Sequence, residues 1–143
     1  MTIKQLSIFV ENKKGKIAQV AGSISKAGID IRALSVADTQ GFGILRLIVS
    51  DTQKAKDILR MNNCVVSITE VIGVEIPDEP GSLAHILSLL DEREINLEYI
   101  YAFISVSGKN AYVVLRVTDN EKAINELTKA GIKLITQTEI ENL

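Results

Sequence analysis

Two short stretches hold residues whose types and spacing suit recognition chemistry. "ENKKG" (Glu11 to Gly15) and "PDEPG" (Pro77 to Gly81) each place a polar residue, Asn12 or Asp78, three positions before a glycine, Gly15 or Gly81. An apolar helical pattern follows each glycine at once. The first N–H groups of a helix have no partner within it, and the helix dipole adds partial positive charge there. A glycine, lacking Cβ, lets another group approach the backbone. Together these make a small anion site suited to a carboxylate. At the far end of each helical pattern, "GID" (Gly28 to Asp30) and "EIN" (Glu94 to Asn96) set Asp30 and Asn96 where a strand begins. Those groups can accept from an ammonium. A carboxylate end and an ammonium end together describe an amino-acid site. The same residues also have plain structural uses: Asn12 and Asp78 can cap helices, and Asp30 and Asn96 can turn the chain.

Other chemistry is sparse. The one cysteine, Cys64, allows no internal disulfide and reads as a small buried hydrophobe at a strand start. The one histidine, His85, reads as a polar residue on a helix face. No HxxxH, CxxC, P-loop or nucleophile-elbow spacing occurs, and a nucleophile needs a base beside it. No catalytic residue, metal site or cofactor is therefore expected, and the chain reads as a non-enzyme. "GFGILR" (Gly41 to Arg46) leads into a strand, so no helix N-terminus stands ready for a phosphate. A soft-metal module would need paired cysteines. An RNA-recognition module would need stacking aromatics on central strands, but Phe9, Phe42 and Phe103 are the only Phe and Trp is absent.

The net charge of -2 argues against nucleic acid as the partner, because phosphate binding needs a basic face. No run of about 20 apolar residues exists, so no membrane partner is expected. The N-terminal apolar run is too short and interrupted for a signal peptide, which leaves the cytoplasm as the expected compartment.

These residues must be positioned by elements, and the elements recur. Shifted by 66, Gly15 falls on Gly81, Ala18 on Ala84 and Ile29 on Ile95. After a two-residue insertion "LIVSDTQKAKDIL" falls on "LRVTDNEKAINEL". Leu6, Ile8 and Val10 alternate as in a strand. Ile17, Val20, Ala21, Ile24 and Ala27 recur at helical spacing. Ile29 to Val36 and Ile44 to Val49 read as strands flanking a "DTQGFG" turn, followed by a short helix capped by Asp51 or Thr52 and a strand from Val65 to Val71.

The second half repeats the order: a strand at Ile72 to Ile76, then a helix carrying Leu83, Ile86, Leu87 and Leu90. A strand from Leu97 to Val106, a "VSGKN" turn and a strand from Ala111 to Val117 follow. A helix carrying Ala123, Ile124 and Leu127 and a last strand from Ile132 to Ile140 close the half. The fold class is α+β: two ferredoxin-like βαββαβ repeats, antiparallel sheets with helices on one face, spanning 1–71 and 72–143. Gly73 reads as a bend or bulge between them. Whether strands stay at home or are exchanged between the halves is left open.

The run "VEIPDEPGSLAHILSLLDEREINLEYI" resembles the opening strand, loop and helix of an ACT domain. "IFVENKKGKIAQVAGSISKAGIDIRAL" carries the same signature with Lys14 in place of Pro. The chain thus resembles a stand-alone tandem ACT protein over almost its whole length. The resemblance implies a regulatory module that binds an amino acid between two ACT domains paired side by side, near the loops joining the first strand to the first helix. Asn12 with Asp30, and Asp78 with Asn96, would contact the ligand beside Gly15 and Gly81.

The first loop is basic (Lys13, Lys14, Lys16) and the second acidic (Asp78, Glu79), which suggests one favoured ligand orientation; solvated loop charge is the plain alternative. The expected function is an allosteric sensor of a small amino acid acting on a regulated enzyme or other protein partner. The alternative is an assembly module without a ligand. The mixed polar and apolar sheet face, shown by Glu75 opposite Val74 and Ile76, fits a homodimer.

Overall fold

The computed structural model describes residues 1–11, 13–38, 41–104 and 108–143. The chain divides into two compact units. The first comprises Lys4–Thr69 with Ile140–Leu143, the second Met1–Ile3 with Glu70–Glu139. Each unit is an antiparallel sheet with two main helices on one face.

The first unit contains β1 (Ile3–Glu11, from Lys4 onward), α1 (Lys16–Lys26), β2 (Ile31–Asp38), β3 (Phe42–Val49), α2 (Thr52–Met61) and the opening of β4 (Val65–Pro77). Its strand order is β2-β3-β1-β4. The second unit contains the remainder of β4, α3 (Ser82–Glu92), β5 (Leu97–Ala102), β6 (Asn110–Val117), α4 (Asn120–Lys129), β7 (Lys133–Ile135) and the start of α5 (Gln137–Glu141). Its order is β5-β6-β4-β7.

The repeat expected from the sequence reaches into the cores. Leu6, Ile8 and Val10 of β1 fill the first core where Ile72, Val74 and Ile76 of β4 fill the second. Val20 and Ile24 of α1 correspond to Ile86 and Leu90 of α3, and Leu45, Leu47 and Val49 to Val113, Leu115 and Val117. Burying each such side chain contributes roughly 1.5–3 kcal/mol, which is why the apolar spacing survives where identities do not. Ile17 and Leu83, expected in the helical stripes, are instead 45% and 41% exposed.

Local signals set the helix ends. The carboxylates of Asp51 and Asp119 each accept from an N–H three residues on, Lys54 or Lys122, at 3.0 Å. All four main helices stop through one device, in which an apolar residue donates its N–H to a carbonyl five residues back. The bonds are Ile29 to Ile24 (3.2 Å), Cys64 to Leu59 (3.0 Å), Ile95 to Leu90 (2.9 Å) and Ile132 to Leu127 (3.0 Å). This is the Schellman ending, and it needs a left-handed residue just before the donor. Gly28, Asn63, Glu94 and Gly131 supply it, with φ of 73°, 61°, 55° and 77°.

Four expectations change. Val65 to Ile76 forms one strand, not two, because Val71, Ile72, Gly73 and Val74 are all buried and nothing interrupts pairing. Gly73 is neither bend nor bulge. It pairs in register with Val114, and a Cβ there would meet Ile3 Cδ1 at 3.0 Å and Ile135 Cβ at 3.3 Å. The last strand stops at Ile135. Thr136 Oγ1 accepts from Glu139 N–H (3.2 Å), and the Glu139 carboxylate accepts from Thr136 N–H (2.7 Å), a capping box that opens α5. β5 likewise ends at Ala102, short of the expected Val106. Parts of the expected "DTQGFG" and "VSGKN" turns, at 39–40 and 106–107, lie outside the described residues.

Candidate ligand site

Gly15 and Gly81 stand at the N-caps of α1 and α3 with φ of 86° and 95°, and no side chain caps either helix from that position. Among the described residues, a Cβ at either glycine would meet nothing within 4 Å. The requirement for glycine is therefore the left-handed backbone, and the space before each helix start is open. Each corner has the polarity of an anion site.

The two corners differ in their charges. Lys13 sits 2.7 Å from Glu11, hydrogen-bonded to its carboxylate, which holds Glu11 below and Lys13 above their ordinary pKa values. One of the three loop lysines is thus already engaged. In the second corner, Asp78 donates its N–H to Lys109 O at 2.9 Å, while its carboxylate has no partner among the described residues. Asn12, the expected counterpart of Asp78, lies outside the described residues.

Asp30 and Asn96 precede β2 and β5, beyond the far ends of α1 and α3. An 11-residue helix separates each from its corner glycine, a span of about 16 Å. Within one repeat, then, Gly15 and Asp30 do not converge, nor do Gly81 and Asn96. Their backbones are held alike: Asp30 O accepts from Ser50 N–H (2.9 Å) and Asn96 O from Thr118 N–H (3.1 Å). Their side chains are not. Asp30 Oδ2 lies 2.6 Å from Arg32 Nη1, so its charge is already matched. Arg32 was missed in the sequence, although its i+2 position on a strand puts it on the same face as Asp30. Asn96 instead rims a hollow of about 360 Å³ with Asp91 and Glu94 over Leu87 and Leu90. Two carboxylates and an amide there suit an ammonium. Neither acid was singled out from the sequence, where each looks like ordinary helix-end charge.

Two repeats of this fold, each opening its first helix from a left-handed glycine, define a tandem ferredoxin-like module. The chain belongs to the ACT domain pair family, whose model matches residues 1–143. Among solved structures it is similar to protein BT0572 from Bacteroides thetaiotaomicron, with 38% identity over 100% of this chain and 98% of that one and a TM-score of 0.92. It shares its fold with the ligand-free regulatory subunit of aspartate kinase from Thermus thermophilus, at 16% identity over 89% and 91% of the two chains and a TM-score of 0.65. Aspartate kinase from Synechocystis also shares the fold, at 19% identity, with 89% of this chain matching 25% of that one and a TM-score of 0.58. No curated protein matches the chain.

Proposed function

We propose that this chain is a non-catalytic regulatory protein that senses an amino acid and passes its bound state to a regulated enzyme or other protein partner. The observation that carries the reading is the left-handed glycine corner, present at Gly15 and again at Gly81 in a chain of the ACT pair family. The two repeats, 1–71 and 72–143, contribute one corner each. A regulatory subunit with the same fold supports the class.

The ligand is placed between paired ACT domains, because no single repeat joins its corner to its strand opening. In a homodimer whose two-fold axis runs perpendicular to these helices, the N-terminus of one helix lies beside the C-terminus of its mate. A corner then faces a strand opening of the other chain. Asn12, Gly15, Asp78 and Gly81 serve the carboxylate end, and Asp30 and Asn96 the ammonium end. Allostery follows if the ligand favours one of two arrangements of the chains. The cytoplasm is the proposed compartment.

The test is thermal unfolding against each of the twenty amino acids. One amino acid at about 100 times its dissociation constant adds about 2.7 kcal/mol and raises the midpoint by several degrees. Asp78→Ala and Asn96→Ala should each abolish that shift. A chain that responds to none of the twenty supports the assembly-module reading instead. Leu34 and Val36 of β2, 43% and 47% exposed, favour that second reading.

A further inference from the structure

The first unit carries a groove of about 1080 Å³ along α1, just above the roughly 300–1000 Å³ usual for small-molecule sites. Val10, Val20, Cys64 and Val65 give it apolar walls, and the rings of Phe9 and Phe42, with centroids 6.4 Å apart, stand at its margin. Lys16 and Lys26 line it from the two ends of α1, about 15 Å apart along the helix. Neither ammonium makes an ion pair or hydrogen bond among the described residues; Lys16 adds only a longer-range attraction to Glu11.

The one carboxylate at this groove and the last carbonyls of the neighbouring helix are already used. Glu11 is the one carboxylate among its described lining residues, and it holds Lys13 at 2.7 Å. Where α2 ends beside the groove, Ile58 O accepts from Asn62 N–H (3.2 Å) and Nδ2 (2.9 Å), Leu59 O from Cys64 N–H (3.0 Å) and Arg60 O from Asn63 N–H (3.1 Å). An incoming ammonium therefore finds no unpaired carboxylate, whereas an incoming carboxylate finds two unpaired cations. The cations are peculiar to this repeat: the positions of Lys16 and Lys26 are held by Ser82 and Glu92 in the other.

We propose that the groove binds an apolar-bodied carboxylic acid that carries no ammonium, the deaminated counterpart of an apolar amino acid. The inference rests on reading the Gly15 corner, at one end of the groove, as a carboxylate site. It parts from the amino-acid reading at the ligand's other end, which is apolar. The two repeats then divide the work, with the acid held at the first and any ammonium-bearing ligand at the acidic end of the second.

The test is calorimetric titration of the full chain with isocaproate, octanoate, leucine and isoamylamine. Isocaproate or octanoate should bind about tenfold tighter than leucine, and isoamylamine should not bind. The Lys16→Gln, Lys26→Gln double variant should weaken the acid about tenfold, the scale of a lost charged hydrogen bond. Both lysines are exposed, so its thermal midpoint should hold. Three results would overturn the proposal: leucine binding as tightly as the acids, acid binding indifferent to the double variant, or no binding of either acid up to about 10 mM, weaker than about -2.7 kcal/mol. An amino acid whose binding is lost on Asp78→Ala, with neither acid bound, sinks this inference and leaves the sensor reading standing. Acid binding with all twenty amino acids silent does the reverse.

Discussion

Glu94 occupies in the second repeat the left-handed position that Gly28 occupies in the first: φ is 55° at Glu94 and 73° at Gly28, each just before an isoleucine whose N–H closes the helix. A side chain in that region costs about 1–2 kcal/mol. The second repeat tolerates this at the rim of the hollow formed with Asp91 and Asn96. Glu94→Gly should raise stability by about 1 kcal/mol and the melting midpoint by about 3 °C, read by calorimetry. If the midpoint does not move, the glutamate makes a stabilising interaction that offsets its backbone.

Gly73 gives the opposite case, a glycine needed for space. Gly73→Ala puts a Cβ 3.0 Å from Ile3 Cδ1 and 3.3 Å from Ile135 Cβ. It should destabilise the chain by about 1–3 kcal/mol in denaturant unfolding. Ile3→Val removes the nearer atom, so the double variant should be more stable than the two single losses sum to. Strict additivity would mean that Ile3 does not limit the site.

The helix caps at Asp51 and Asp119 are equivalent in geometry. Replacing either by Ala should cost about 1 kcal/mol, and by Asn much less. Equal losses from urea titrations would match the equal 3.0 Å bonds. A negligible loss at both would remove the caps as the reason these helices start where they do.

Acid stability should carry a signature of Glu75. Its carboxylate is hydrogen-bonded by Lys133 Nζ at 2.5 Å and Asn110 Nδ2 at 2.6 Å, and Lys133 above all holds it below the ordinary carboxylate pKa of 4.5. A depressed folded pKa gives stability that is complete above the unfolded value and is lost as pH falls through the folded one. Glu75→Gln should therefore flatten stability against pH below about 4.5 while lowering the neutral plateau. Lys133, raised above 10.5 by the same pair, contributes below that value and loses its share as pH climbs past the folded pKa. An unchanged acid limb in Glu75→Gln would show that the pair adds nothing to folding.

Much of this protein was determined by local spacing. The paired cores were legible because a helix or strand repeats its buried face at a fixed period, whatever apolar residue fills it. The corners at Gly15 and Gly81 and the caps at Asp51 and Asp119 were legible because a helix end is satisfied within a few residues. The Thr136–Glu139 capping box was equally local, but the β-forming residues around it outweighed it in the reading.

Tertiary structure decided what depends on distant neighbours. Gln5, which its alternation with Leu6, Ile8 and Val10 puts on the other face of β1, is fully buried and donates to Ser7 Oγ at 3.0 Å, which in turn meets Thr69 Oγ1 at 3.1 Å. Gly73 reads as a break until Ile3 and Ile135 are seen against it. Whether a lysine or an aspartate is free for a ligand was equally beyond the sequence. Charge is a property of the residue, but its availability is set by what folding brings within a few ångströms: Lys13 and Asp30 are engaged, while Lys16, Lys26 and Asp78 have no ion-pair partner among the described residues.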